Sequence, residues 1–201
     1  MIMTIKKYEL GAFYYLFILS MLSCSANYNL SEEDLMFNPY KAGDFFVFSN
    51  SHGSIDTFFV ERVQRYGAEV APLDVIPKYY EVLEVVIRYP VSTQSNGERK
   101  YDSDVFFDLS AAKNDHALIG LRFKSDGAKF YSAKGYSKFL FKEGHLLTLK
   151  TNMYIYNDVL KIEPSDKEYE YKSDFITAIY WSKSKGYVRY DLKNGTYFEL
   201  Q

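Results

Sequence analysis

Gly186-Tyr187-Val188-Arg189-Tyr190-Asp191-Leu192-Lys193-Asn194-Gly195-Thr196-Tyr197-Phe198-Glu199-Leu200 is the stretch that decides the fold class. Two runs rich in aromatic and β-branched residues flank a turn signal, the pattern of an antiparallel hairpin. Asn194-Gly195 invites a two-residue loop, but that register sets Tyr190 opposite Glu199. A three-residue loop, Lys193-Asn194-Gly195, sets Arg189 opposite Glu199, Tyr190 opposite Phe198 and Val188 opposite Leu200. Every pair then matches in kind, and cross-strand pairs are what stabilise a sheet. The side chains therefore predict the three-residue form, with Gly195 left-handed at a bulge.

The same signature recurs upstream. Phe45-Phe46-Val47-Phe48 and Thr57-Phe58-Phe59-Val60 are short apolar runs split by the turn-like Asn50-Ser51-His52-Gly53. In residues 79–89, Val82, Glu84 and Val86 alternate with Leu83, Val85 and Ile87. That predicts a strand covered in part on both faces, with a helix as the competing reading. Val105-Phe106-Phe107 and segments 117–123, 128–131, 138–141, 146–149 and 153–162 continue the pattern. Asp126-Gly127 is a type I′ turn signal that sets Phe123 opposite Phe130 and Lys124 opposite Lys129. The polar stretches 92–100 and 164–173 read as long loops. Strands spaced about 8–12 residues apart with turns between them indicate an all-β chain. The expected architecture is a single antiparallel, strongly curved sheet or partly closed barrel over residues 44–201. A short helix precedes it near residues 32–37, where Ser31 is an N-cap with Glu32, Glu33 and Asp34 in the first turn and Asn38-Pro39 ends it.

Composition bounds the function classes. The 201 residues carry 24 basic and 26 acidic side chains, a near-balance unlike the basic footprint of nucleic-acid binders, so no nucleic acid is expected as a partner. Aromatics make up 18% of the chain, ample apolar area for a core. The single cysteine, Cys24, can form neither an intrachain disulfide nor a multi-cysteine zinc site.

The N-terminus reads as an address. Lys6 and Lys7 precede an apolar run over residues 11–22, followed by Ser23-Cys24-Ser25. Basic, apolar, small is the order of a secretory signal, and the run is shorter than the ~20 residues a bilayer-spanning helix needs. Met21-Leu22-Ser23-Cys24 resembles a bacterial lipobox, in which small or apolar residues precede a cysteine that is lipid-modified and becomes N-terminal. The resemblance implies a signal peptide at residues 1–23, a lipid attachment at Cys24 and a tether with the short helix at residues 24–43. Ser25 stands where some lipoproteins carry an inner-membrane-retaining Asp, which implies onward transfer to the outer membrane. The terminal region Ile179-Tyr180-Trp181-Ser182-Lys183, Gly186-Tyr187-Val188-Arg189-Tyr190 and Asn194-Gly195-Thr196-Tyr197-Phe198-Glu199-Leu200 also resembles a group of small lipoproteins of Bacteroidetes-type bacteria.

Residues with catalytic potential are few and scattered. Ser51, His52 and Asp56 hold triad residue types, but adjacency around Gly53 reads as a turn. His116 and His145 read as solvated loop residues. Asp102, Asp104 and Asp108 share strand parity, a row that could in principle face a hard cation, although no compact acidic calcium loop is present. Glu81 with Glu84, or Asp166, Glu168 and Glu170, are carboxylates with no fixed separation. Phosphate-binding and nucleophile-elbow motifs are missing, so no catalytic residue, metal or cofactor is assigned.

The expectation is a non-enzymatic lipoprotein of the cell envelope with a binding or assembly role. Its partners are the membrane, through lipid on Cys24, and an envelope protein or a small apolar ligand. The alternative is a carrier of an acyl chain or other small apolar ligand in a calycin-like or lipoprotein-carrier-like sheet; a hydrolase with an unrecognised site ranks third. A filled core with an exposed aromatic patch separates the first reading from the deep cavity of a carrier.

Overall fold

The computed structural model describes residues 26–70, 78–93, 99–112, 117–125, 128–137, 145–164 and 170–201. In chain order these form β1 (Ala26–Tyr28), α1 (Glu32–Leu35), β2 (Phe45–Ser49), β3 (Ile55–Val70), β4 (Lys78–Thr93), β5 (Arg99–Ser110), β6 (Leu118–Ser125), β7 (Ala128–Ser137), β8 (Leu147–Lys150), β9 (Ile155–Ile162), β10 (Ile176–Ser182), β11 (Gly186–Leu192) and β12 (Tyr197–Leu200). The chain is all-β, as the spacing of its strand runs and turn signals predicts. One sheet runs in the order β7-β6-β5-β4-β3-β2-β12-β11-β10-β9-β8, with β1 added on β4. Its path is open, so the sheet does not close into a barrel. The expected strand at 138–141 lies outside the described residues.

Local chemistry places several elements where the sequence predicts them. Arg189 pairs with Glu199 and Tyr190 with Phe198, and Leu192 N–H bonds Thr196 O at 2.8 Å. The loop is therefore the three-residue form, with Gly195 at φ 86°. Arg189 lies 3.5 Å from Glu199 and spreads over the Tyr197 ring at 4.0 Å. Phe123 pairs with Phe130 and Lys124 with Lys129. Ser31 caps α1 in a reciprocal capping box with Asp34.

Residues 79–89 form the expected strand and not the competing helix. Their Leu83, Val85, Ile87 and Tyr89 face the core, and even Val86 on the other face is buried. Other elements depart from expectation. β3 continues ten residues past Val60, through a polar run that apolar patterning does not mark. What holds that part is cross-strand polar pairing: Gln64 donates to Glu84 at 3.0 Å, and Arg65 forms an ion pair with Glu81. The predicted loop at 92–100 is shorter, because β4 runs to Thr93 and β5 starts at Arg99. The segment read as tether is docked. β1 pairs in parallel with β4, Tyr28 stacks on Tyr80 at 4.8 Å, and Leu30, Phe37 and Tyr40 are buried.

The sheet rolls so that the inner faces of its two halves meet. Phe107 of β5 stacks on Trp181 of β10 at 5.9 Å, and Phe106 meets Tyr187 of β11 at 4.1 Å. Bulges favour this curvature by inserting an unpaired residue and increasing local twist, and those that bear on the core are three. They fall at Glu61 in β3, Phe106 in β5 and Val188 in β11. Each resets strand parity. Tyr187 and Tyr190 are both buried in the main core, although a regular strand would put them on opposite faces.

Candidate functional site

The inner face is filled by side chains. Trp181, Tyr190, Phe48, Phe58, Phe106 and Phe107 are each under 2% exposed. Tyr187 ties the halves together: its hydroxyl lies 3.0 Å from the Phe106 carbonyl and 3.1 Å from that of Arg122. Phe106 is the bulge residue, so the hydroxyl supplies a partner where the strand ladder is interrupted. Burial raises the Tyr187 phenol well above its usual range, so it stays a hydrogen-bond donor. Among the described residues these rings are core packing, the use of apolar area that the aromatic content of the chain implies.

The outer face of the other half is different. Phe45 pairs with Phe59, and Phe59 with Arg88. Strand alternation sends Phe46 and Phe58 inward and leaves Phe45 and Phe59 outside, so the doubled phenylalanines supply both faces at once. Phe45 is 71% exposed, Phe59 37% and Tyr101 51%. The Arg88 guanidinium sits between two of these rings, 5.5 Å from Phe59 and 5.8 Å from Tyr101. Single exposed apolar residues are ordinary, but a contiguous ladder of three aromatics around an arginine has the composition of a binding surface.

A cleft of about 540 Å³ adjoins the ladder at Phe45. Tyr40, Phe46 and Tyr187 line it, with Asp44, Lys185 and Gln201 as its polar groups. The Tyr40 hydroxyl accepts the backbone N–H of Tyr187 at 2.9 Å, and burial pushes its pKa far upward. Gly186 permits this approach: at φ 79°, a Cβ there would lie 2.0 Å from the Tyr40 oxygen. A volume of this size with a mixed aromatic and polar lining suits a small amphipathic molecule.

A third feature has no counterpart in the sequence reading. Glu84 of β4 lies directly opposite Asp108 of β5, which in turn faces Gly120 of β6. Asp108 lies over that glycine, where a Cβ would come within 2.3 Å of its carboxylate. Burial raises its pKa, Glu84 adds to the rise, and Arg122 at 3.7 Å opposes it. Tyr66, desolvated and bonded to Glu84, is pushed up to about 12. Only long-range strand register brings these groups together, so no local motif announces them.

The sequence candidates fall elsewhere. His52 is exposed in a turn whose amides bond the Asn50 side chain, while Asp56 takes the Tyr190 hydroxyl, so Ser51, His52 and Asp56 do not form a triad. His145 is exposed and His116 lies outside the described residues. The row of Asp102, Asp104 and Asp108 does not exist. The bulge at Phe106 puts Asp104 opposite inward-facing Ile87 but Asp108 opposite outward-facing Glu84. Glu81 and Glu84 stand on opposite faces of β4, with Glu81 held below its usual pKa by Arg65. Glu170 is exposed; Asp166, Glu168 and Cys24 lie outside the described residues. Among the described residues no group of three or more metal-ligating side chains occurs, and no helix is long and apolar enough to cross a membrane.

No protein-family model matches the chain, and neither a curated protein nor a solved structure shows significant similarity to it.

Proposed function

We propose that this protein is a lipoprotein of the bacterial envelope, anchored in the outer membrane by lipid on Cys24, whose β domain binds a partner protein without catalysis. The observation that carries the binding role is the exposed ladder of Phe45, Phe59, Arg88 and Tyr101 on a domain with a filled interior. Aromatic rings and arginine give much contact area at low conformational cost, which is why they dominate interface hot spots. The anchor rests on the charge, apolar run and lipobox-like order of residues 6–24. With Cys24 acylated, the chain has no free thiol nucleophile.

A second reading, the carriage of one small apolar or amphipathic molecule, is favoured by the 540 Å³ cleft over Tyr40, Phe46 and Tyr187. The experiment separates the two. Phe45→Ser with Arg88→Ser should abolish cross-linking to an envelope partner while the thermal midpoint stays near wild type. Native mass spectrometry of the wild-type protein should then show no bound small molecule. A stoichiometric small ligand, with cross-linking unaffected, favours the carrier. Cys24→Ser should release the protein from membranes; full retention refutes the anchor.

A further inference from the structure

The docking of β1 fixes where the chain leaves the domain. Ala26, Asn27 and Tyr28 pair in parallel with Lys78, Tyr79 and Tyr80. The Tyr28 ring stacks on Tyr80 at 4.8 Å, and the Leu30 N–H donates to Glu81 Oε2 at 2.9 Å. From Ala26 onward the chain is therefore part of the fold. Only Ser25 separates Ala26 from Cys24, and successive Cα atoms are 3.8 Å apart, so the two Cα atoms lie within ~8 Å of each other. Because β1 is parallel to β4, tracing it back from Ala26 leads past Lys78, the end at which β4 pairs with Val70 of β3. Three tyrosines, Tyr28, Tyr79 and Tyr80, cluster at this end, and Tyr79 is 38% exposed. Tyrosine is enriched where protein meets the membrane–water interface, because its ring is apolar and its hydroxyl is wet.

The aromatic ladder lies at the other end of the same strand. From Lys78 to Arg88 an extended chain rising about 3.3 Å per residue covers roughly 33 Å. We propose that the domain has no slack tether: it stands on phospholipid headgroups with the β1 end of β3 and β4, and β4 acts as a spacer that holds the Phe45–Phe59–Arg88–Tyr101 ladder away from the bilayer. The ladder then faces a partner across the aqueous space and not the membrane that carries the protein. This orientation rests on the lipid anchor proposed for Cys24.

With Cys24 acylated, an introduced cysteine is the single free thiol. Asn27→Cys and Thr57→Cys, both at exposed positions, are purified with their lipid. Each is labelled with a fluorophore and reconstituted into phosphatidylethanolamine–phosphatidylglycerol vesicles doped with a headgroup spin-labelled lipid, a short-range quencher. The expected result is strong quenching at residue 27 and none at residue 57. Equal quenching at both positions means the domain lies flat, and quenching at neither means a slack tether; either overturns the orientation. Intact mass of the same samples separates the two failures. Protein without lipid refutes the anchor itself, whereas lipidated protein with equal quenching refutes the orientation alone.

Discussion

Tyr187→Phe tests whether one hydroxyl closes the rolled sheet. The phenyl ring keeps its 4.1 Å contact with Phe106, and the backbone N–H keeps its bond to Tyr40. What is lost is the donor between the carbonyls of Phe106 and Arg122, at 3.0 and 3.1 Å. A net hydrogen bond is worth about 1 kcal/mol, and a buried acceptor left unsatisfied costs about 1–3 kcal/mol, so the expected destabilisation is roughly 1.5–3 kcal/mol. For a chain of this size each kcal/mol moves the thermal midpoint by about 2–4 °C, so a fall of roughly 3–12 °C is expected. Urea unfolding followed by tryptophan fluorescence suits the assay, because Trp181 is buried in the same core. The m-value should not change, and amide exchange should accelerate in β5 and β11. Tyr40→Phe, made in the same background, should be non-additive with it, since the two tyrosines share a contact. A loss below about 0.5 kcal/mol would mean that both carbonyls are satisfied without Tyr187.

Three further outcomes follow from named contacts. Gly186→Ala should destabilise far more than Gly195→Ala, although both residues have positive φ. The first adds a Cβ 2.0 Å from the Tyr40 oxygen, and the second meets nothing within 4 Å and carries only the left-handed cost of about 1–2 kcal/mol. Equal losses in chemical denaturation would refute the clash. Asp108→Asn should be more stable than wild type at neutral pH. A carboxyl whose pKa is raised on folding penalises the fold when ionised, and that penalty disappears as pH falls through its raised value toward the ordinary ~3.9. The stability difference should therefore shrink on acidification; a difference independent of pH contradicts the assignment. Arg65→Ala should make the remaining stability less dependent on acid. Arg65 lowers the Glu81 pKa, and the stability this supplies above the unfolded carboxyl value is lost as pH falls. The effect stays below about 1 kcal/mol, because the pair is partly solvated, and a pH titration of unfolding free energy checks it.

The candidate surface was only partly legible in the sequence. Aromatic abundance signals a core, but Phe45 and Phe59 become a surface only when β2 pairs with β3 and alternation turns both rings outward. Arg88 joins them through the register of β4, which local spacing does not carry. Glu84 and Asp108, 24 residues apart, are invisible as a pair until β4 and β5 align.

What the sequence determined by itself is what short-range chemistry controls. Side-chain matching across Lys193-Asn194-Gly195 selects the three-residue loop, Asp126-Gly127 sets the Phe123–Phe130 register, Ser31 with Asp34 caps the helix, and strand-forming runs make the chain all-β. Tertiary structure decided which face each residue occupies. Counting by twos fails at Glu61, Phe106 and Val188, because a bulge adds one residue to one strand only, and whether it forms depends on the partner strand and the curvature of the whole sheet. It also decided the fate of residues 26–30. Read as a tether in sequence, they are held by Tyr80 and Glu81, whose distance along the chain hides them from any local reading.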